Sequence, residues 1–191
     1  MKKIFIAIFF VFLLVPVFGA GNERLFHVQF NVGLDVKGTH DRFFNVPYWD
    51  DETVMMGYSP SFEVVNQGKY FDIGVGFEYQ LPREIKDGNG AEFNFMPIYS
   101  VWRITIIPTK ARELEAIGHV GYNIFNFNEE YLTGDYSSTG NLYWGAGLSL
   151  VLGQRIVMQG LYKQNKANVE YNGTSAEIKN SHITISLGLR L

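Results

Sequence analysis

The sequence predicts an all-β fold, an antiparallel up-and-down barrel of about eight strands, and three patterns support this prediction. Apolar residues alternate with polar or small residues in one stretch after another, which is the two-residue period of a strand with two unlike faces. The connections between these stretches alternate between short and long. Aromatic residues recur near one end of the apolar faces.

The chain begins with a pattern typical of a secretory signal peptide. Lys2 and Lys3 precede an apolar run, residues 4–15, and Pro16 and small residues follow it. A run of this length is too short to cross about 30 Å of hydrocarbon as a helix. We therefore expect residues 1–19 to be a signal peptide, cleaved after Gly19 or Ala20, and residues 20–191 to form the barrel domain.

Four stretches alternate clearly, and they are residues 26–36, 70–81, 142–152 and 181–191. In the last of them every second residue from Ile183 to Leu191 is apolar, and the residues between are polar, small or charged. Four weaker repeats occupy residues 56–65, 93–106, 114–125 and 156–163. Together they predict eight strands, each with one apolar face and one face suited to a polar interior.

The connections alternate in length along the chain. Residues 66–69, 108–111 and 153–154 are predicted to be tight turns, because Gly, Pro and Asn supply the backbone angles of turns. Residues 37–55, 82–91, 126–140 and 164–177 are polar and are predicted to be long loops. Short periplasmic turns and long extracellular loops characterise barrels of the bacterial outer membrane, so we expect that location, with both termini in the periplasm.

Composition narrows the classes of function. Mean hydropathy is near zero, as it is when lipid-facing and interior residues alternate. The chain has no cysteine, so disulfides, thiolate chemistry and acylation at cysteine are excluded, and the net charge of −3 gives no reason to expect nucleic acid. We expect no cofactor and no metal. The expected partners are the lipid bilayer, the outer-membrane assembly machinery and a surface ligand, and the chain is expected to be a monomer.

An aromatic girdle is predicted where the outward faces approach the long loops. Trp and Tyr favour this level because their rings are apolar on one side and polar on the other. Its predicted members are Tyr58, Tyr79, Phe93, Tyr122, Trp144 and Tyr162.

A polar network is predicted inside the barrel. Eight strands enclose an interior that side chains can fill, and ionised groups placed there need partners. We expect Arg190 to lie with Glu63, Asp72 and Glu115 near the short turns, and Lys163 with Asp35 and Glu78 nearer the long loops.

No catalytic or metal-binding residue is predicted. Three histidines, His27, His119 and His182, fall on inward faces, but at strand positions too far apart to share one ion. Ser186 and Asp35 share the inward face at other depths, so a catalytic relay is not expected. Ser181 is adjacent to His182 in the sequence, and adjacent strand residues point to opposite faces.

The chain resembles the small eight-stranded outer-membrane barrels, the group of OmpX, the OmpA transmembrane domain, the OmpW type and the opacity-like proteins. Besides the strand and loop pattern, Pro97-Ile98-Tyr99 and residues 118–122, Gly-His-Val-Gly-Tyr, are similar to segments of such proteins. Barrels of this group usually end in an aromatic residue that the assembly machinery reads, whereas this sequence ends in Leu191. That departure implies a divergent machinery.

Three functions follow from this resemblance and from the interior residues. The favoured one is a non-enzymatic outer-membrane protein with a structural or surface-interaction role in its long loops. The alternative is a narrow channel or conduit for small apolar molecules, as in the OmpW type, for which the predicted inward residues are Ile98, Trp102, Val151 and Leu161. The third is a lipid-modifying enzyme, which ranks last because no paired nucleophile and base can be placed.

Overall fold

A computed structural model describes residues 26–40, 52–54, 56–68, 71–84, 92–108, 112–127, 136–153, 155–171 and 174–191. Within these ranges all regular structure is β-strand, and no helix is long and apolar enough to cross a membrane. The strands are β1 (Phe26–His40), β2 (Glu52–Val54), β3 (Gly57–Asn66), β4 (Phe71–Glu78), β5 (Arg83–Glu84), β6 (Glu92–Pro108), β7 (Arg112–Phe127), β8 (Tyr136–Leu152), β9 (Ile156–Tyr171) and β10 (Thr174–Arg190).

The strands form one closed antiparallel sheet. Each long strand pairs with the next along the chain, and β10 pairs back with β1 from Gln29↔Arg190 to Val36↔Ile183. The short strand β2 pairs with β1 along the edge that β3 also uses. In the same way, the short strand β5 pairs with β6 along the edge that β4 uses. The ten strands therefore build a ring of eight, and the predicted eight-stranded up-and-down barrel is confirmed.

The ring has several irregularities, and two of them lie in β1 and directly after β4. The pairing of β1 shifts between Val36 and Thr39, where its partner changes from β3 to β2. After β4 the chain keeps its hydrogen bonds to both neighbours, with Tyr79 N donating to Pro60 O (2.9 Å) and Gln80 N to Phe95 O (3.0 Å). Irregularities of this kind redirect side chains at barrel rims.

The two ends of the barrel differ. At the short-turn end, strands β3 and β4, β6 and β7, and β8 and β9 follow one another after three or four residues. Gly153 there has φ = +56°, a left-handed angle that glycine adopts without strain. Leu191 is bonded to Val28 through both backbone groups (2.8 and 3.1 Å), so β1 begins and β10 ends at this end too. The opposite end is called the long-connection end below.

Strands extend further at the long-connection end than the sequence predicted. Residues 164–177, expected to be a loop, lie mainly in β9 and β10, which continue to Tyr171 and resume at Thr174. The other expected loops also contain strand residues, in β1, β2, β5, β7 and β8. The expectation failed because the faces exchange character here. In the band the outward residues are apolar, whereas in this part of the strands the apolar residues Ala167, Val169 and Ile178 are buried and the outward residues are polar.

The outer face of the ring carries an apolar band. On β8 the outward residues from Leu142 to Leu152 are apolar at every second position, a length of about 33 Å along the strand and about 25 Å along the axis at a tilt of about 40°. The residues between them point into the lumen. The outward and inward sets predicted for residues 26–36, 71–81, 142–152 and 181–191 have the burial pattern that the prediction requires, except at Gly74 and Gly147, which are half-buried.

The predicted register of β6 is wrong. Phe93, predicted to face outward, is 2% exposed, whereas Ile98 and Trp102, predicted to face the lumen, are each 42% exposed. All three errors are a single shift by one residue, which exchanges the two faces of a strand. Both sets of alternate residues in β6 are largely apolar, so hydrophobic alternation does not choose between them. The buried Arg103 does, because it has a carboxylate partner only inside the barrel.

Candidate functional site: the polar lumen

Among the described residues, the lumen holds four buried pairs of a carboxylate with a cation. They are Asp35 with Arg83, Glu63 with Arg103, Glu78 with Lys163, and Glu115 with Arg190. Side chains of all eight are at most 6% exposed. A buried charge is tolerated only with a partner and further hydrogen bonds, so these pairs account for ionised groups inside a narrow barrel.

Asp35 is the most heavily contacted carboxylate and lies toward the long-connection end. It accepts hydrogen bonds from Arg83, Ser59 and Thr184. His182 Nε2 lies 3.5 Å from its Oδ1. Arg83 belongs to β5, after the irregularity that follows β4, and its stem crosses Gly57, where an added Cβ would lie 2.6 Å from Nε. The missing side chain at that position gives the arginine its path into the lumen.

Glu63 is the centre of a second cluster. Besides Arg103 it accepts a hydrogen bond from the Tyr99 hydroxyl (3.1 Å), and His119 Nε2 lies 3.5 Å from its Oε1. Arg103 Nη1 lies 3.1 Å from Nε2 of His27. The ring of Tyr99 stacks on His119 with centroids 4.3 Å apart. This cluster joins strands β1, β3, β6 and β7 across the interior.

The other two pairs lie in smaller networks. Lys163 Nζ donates to Glu78 Oε2 (2.5 Å), Gln80 donates to Glu78 Oε1 (3.0 Å), and Asn165 donates to Gln80 (3.3 Å). Near the short-turn end, Arg190 Nη2 donates to both carboxylate oxygens of Glu115 at 2.9 Å, and its Nε donates to Gln29 (3.3 Å). Networks of this kind connect strands that are not neighbours in the sheet.

All seven residues of the predicted interior network are buried. The structure brings together two of the expected pairings, Arg190 with Glu115 and Lys163 with Glu78. The other three expected pairings are not found: Glu63 binds Arg103, Asp35 binds Arg83, and Asp72 accepts a hydrogen bond from the backbone N–H of Gly68 (3.0 Å).

Sequence reasoning missed two cations, Arg83 and Arg103. Arg83 falls within the predicted loop 82–91, and Arg103 lies in β6, for which the predicted register was wrong. Charge counting was a signal that could have found both: five predicted interior carboxylates faced only two predicted cations, and an uncompensated buried carboxylate is costly.

Apolar side chains separate and cover these networks. One buried cluster comprises Val65, Tyr99, Val101, Ile117, Tyr143 and Leu161. In β6 and β7, Phe95 packs against Phe93 and Phe125 with centroids 5.9 and 4.8 Å apart. Val151 and Leu161, two of the four residues expected to line a channel, are inside the barrel but only 2 and 3% exposed.

No hydrogen bond among the described residues joins a serine or threonine hydroxyl to a histidine ring. Ser59 and Thr184 donate hydrogen bonds to Asp35. The hydrogen-bond partner of His182 Nδ1 is Oδ1 of Asn180 (3.0 Å). Ser186 donates to Gln159, and Ser181 accepts from Gln164 on the outer face. Among these residues there is also no group of three or more His, Asp and Glu side chains placed to hold a metal ion.

Five of the six predicted girdle residues lie on the outer face toward the long-connection end. They are Tyr58, Tyr79, Tyr122, Trp144 and Tyr162, and the rings of Trp144 and Tyr162 are in contact at 5.5 Å. Phe93 is not part of this set, because its ring packs inside the barrel against Phe95.

Comparison with known proteins identifies the fold. No protein-family model and no curated protein matches the sequence. Among solved structures, Neisserial surface protein A shares 11% identity at a TM-score of 0.55, covering 87% of this chain and 97% of that one.

Ail, the attachment invasion locus protein of Yersinia pestis, shares 12% identity at 0.54 (86% and 98% covered). The outer membrane protein OprG from Pseudomonas aeruginosa shares 11% at 0.54 (87% and 95%). The fold is that of the small eight-stranded outer-membrane barrels, as the sequence predicted.

Proposed function

We propose that this protein is an integral outer-membrane barrel with a closed lumen and no enzymatic activity. The observation that supports this most strongly is the division of the ring into an apolar outer band and an interior of matched charge pairs. The band is about 25 Å tall, the height of the hydrocarbon region that such barrels cross. Each buried Lys and Arg of the described lumen is paired with a carboxylate, and the remaining buried carboxylate, Asp72, accepts a backbone hydrogen bond. We therefore infer that the lumen serves stability rather than chemistry or transport.

A surface-interaction role follows from the asymmetry of the ends. The short-turn end offers a few residues between strands, whereas the predicted loops that reach the cell exterior are at the long-connection end. The residues between strands there, 41–51, 85–91 and 128–135, lie outside the described residues. We place the recognition surface in these segments and expect a signal peptide, residues 1–19, to direct the chain to the periplasm and its assembly machinery.

Cysteine labelling of intact cells tests the location and the orientation, because the chain has no cysteine of its own. Ser137 and Gln67 are both exposed and lie at opposite ends of the barrel. A bulky, membrane-impermeant maleimide should label Ser137→Cys on intact cells and Gln67→Cys only after lysis. The reverse result would invert the orientation. Labelling of both only after lysis would place the protein elsewhere.

The loop role needs a separate test. Replacing residues 128–135 by a Gly-Ser linker of equal length should leave the barrel folded, as judged by heat-dependent gel migration, and abolish rescue of a deletion strain. Full rescue by this variant would place the activity in the barrel itself and favour the conduit. The conduit has less support because Ile98 and Trp102 face outward.

A further inference from the structure

The outer wall of the barrel continues beyond the apolar band on β8, β9 and β10. The last apolar rung on β9 and β10 is Tyr162 with Ile183, and the next outward rung is Gln164 with Ser181. From Gln164 to Glu170 the wall rises about 20 Å along the strand and about 15 Å along the axis at a tilt of about 40°. This height follows directly on the band, so in a membrane it lies in the headgroup layer and just outside it.

The outward side chains of this part of the three strands are all polar, and together they are called the polar wall. They are the outward residues of 137–141, 164–170 and 175–181. The charged members are two lysines and two glutamates, Lys166, Lys179, Glu170 and Glu177, so their formal charges cancel. Lys166 is paired with Glu177, and Lys179 also has an interaction within the chain. The wall therefore presents hydrogen-bonding groups without a net charge.

Hydrogen bonds fix the side chains of the polar wall across all three strands. Asn141 Nδ2 donates to Oδ1 of Asn168 and to Oε2 of Glu177, both at 3.2 Å. Glu177 Oε1 accepts from Lys166 Nζ (2.7 Å), and Asn141 Oδ1 accepts from the backbone N–H of Leu142 (2.7 Å). Side chains that are held in place before a ligand arrives lose less conformational entropy when they bind it.

A second set of hydrogen bonds follows the lower edge of the polar wall. Trp144 Nε1 donates to Gln164 Oε1 (3.0 Å), and Gln164 Nε2 donates to Ser181 Oγ (3.1 Å). The rings of Trp144 and Tyr162 are in contact at 5.5 Å and border the wall on the side of the apolar band. Rings at this level have an apolar face that can pack against the C–H groups of a sugar or of glycerol.

The network leaves donors and acceptors that point outward. Asn168 accepts through Oδ1, so the two donors of its Nδ2 are available, and Ser181 accepts from Gln164 and keeps its own proton to donate. Each carboxylate oxygen of Glu177 accepts one of these hydrogen bonds and has a further lone pair. A sugar hydroxyl both donates and accepts, so neighbouring groups of both kinds on one face match a saccharide.

We propose that the polar wall binds the uncharged saccharide headgroup of a membrane glycolipid, with Trp144 and Tyr162 at the level of its glycerol. The inference rests on the proposed membrane location, and it adds a recognition surface in the described part of the chain to the one placed in the long connections. The cancelled charges give no reason to favour a phosphate group. A protein partner is less suited, because protein interfaces centre on buried apolar or aromatic anchors, and the polar wall contains none.

Quenching of tryptophan fluorescence by brominated lipids tests this surface. In a background with Trp49→Phe and Trp102→Phe, the remaining Trp144 reports from the lower edge of the wall. Vesicles of phosphatidylcholine would contain an equal minor fraction of brominated digalactosyl diacylglycerol, brominated phosphatidic acid or brominated phosphatidylcholine. The galactolipid should quench Trp144 more strongly than either phospholipid.

Two variants remove hydrogen-bonding groups of the wall without changing Trp144 or its partner Gln164. Asn168→Ala and Glu177→Ala should each lower the ratio of the binding constants of the galactolipid and phosphatidylcholine about fivefold, the effect of about one hydrogen bond. Gln67→Ala, at an exposed residue of the short-turn end, is the matched control and should leave the ratio unchanged. Heat-dependent gel migration checks that each variant is folded.

Three results would overturn the proposal. A ratio that survives Asn168→Ala with Glu177→Ala would remove the assignment to the polar wall. Quenching by phosphatidic acid as strong as that by the galactolipid would show that charge, and not sugar, is recognised. Loss of the preference on addition of free digalactose would show that the site takes a soluble sugar and not a lipid.

Trp102 separates failure of this site from failure of the membrane location. It is 42% exposed on the outer face of β6. With Trp102 as the remaining tryptophan, all three brominated lipids should quench it equally. No quenching of Trp102 by any of them would contradict embedding in the bilayer. Normal quenching of Trp102 with no preference for the galactolipid at Trp144 would overturn the sugar site alone.

Discussion

Replacing Arg190 with methionine should destabilise the folded barrel by about 3 to 5 kcal/mol. The guanidinium donates to both oxygens of Glu115 at 2.9 Å, and the Glu115 side chain is 1% exposed. Hydrogen bonds to charged groups contribute about 1.5 to 3 kcal/mol each, so the loss of two gives a similar figure. The cost arises because the Glu115 carboxylate remains in the lumen without its cation.

A second variant separates the loss of the Arg190–Glu115 ion pair from the general effect of a new side chain on the free energy of unfolding. Adding Glu115→Gln to Arg190→Met removes the orphan charge and should restore about 2 kcal/mol, within the range of coupling energies for contacting residues. Lys166→Met is the matched control, because its pair with Glu177 is 26% and 46% exposed. It should cost no more than about 1 kcal/mol.

The free energy of unfolding would be measured by urea titration of protein folded in phosphatidylcholine vesicles, followed by tryptophan fluorescence and gel migration. The reasoning is refuted if Arg190→Met is as stable as the parent. It is refuted equally if the double variant is no more stable than Arg190→Met, because the loss then has a source other than the orphaned carboxylate.

Three other changes test the two faces and the mouth of the barrel. Leu187 is 60% exposed on the outer face, and Leu187→Arg should cost about 2 to 4 kcal/mol of folding free energy in vesicles. The control Ser137→Arg, beyond the apolar band, should cost about 0.5 kcal/mol. Equal losses for the two variants would contradict the outer face assigned here. Gly74→Ala should destabilise the barrel, because its Cβ would lie 2.2 Å from a backbone carbonyl oxygen, whereas Gly118→Ala meets nothing within 4 Å and should be neutral in the same titration. Arg83→Ala should open the long-connection end and give a cation-selective conductance, since it leaves the Asp35 carboxylate without its arginine. Anion selectivity, read from the reversal potential in a salt gradient, would count against this.

For strands with one apolar and one polar face, the sequence was enough to predict which residues face outward and which face the lumen. The last strand is the clearest case, since Ile185 and Leu187 face outward while Thr184 and Ser186 are buried, as alternation requires. Alternation failed where both faces are apolar. In β6 the choice of face depends on a contact between distant residues, Arg103 with Glu63, which local periodicity does not contain.

The lumen residues were predictable as a set but only partly as pairs. The alternation along each strand identifies which side chains point into the interior. Which of them form pairs depends on the tilt and stagger of strands on opposite walls of the barrel. The path of Arg83 into the lumen was not predictable, because it depends on the irregularity after β4 and on the space at Gly57. The predicted loops were too long because polar outward residues continue on strands that rise beyond the apolar band.

The conductance of the purified wild-type protein in a planar lipid bilayer tests the central claim most directly. In the described part of the chain, four buried charge pairs and the apolar clusters between them lie in the interior that eight strands enclose, an interior that side chains can fill. We therefore expect insertion without a steady current above background. A stable ohmic conductance of the wild type would contradict the closed lumen and favour the conduit.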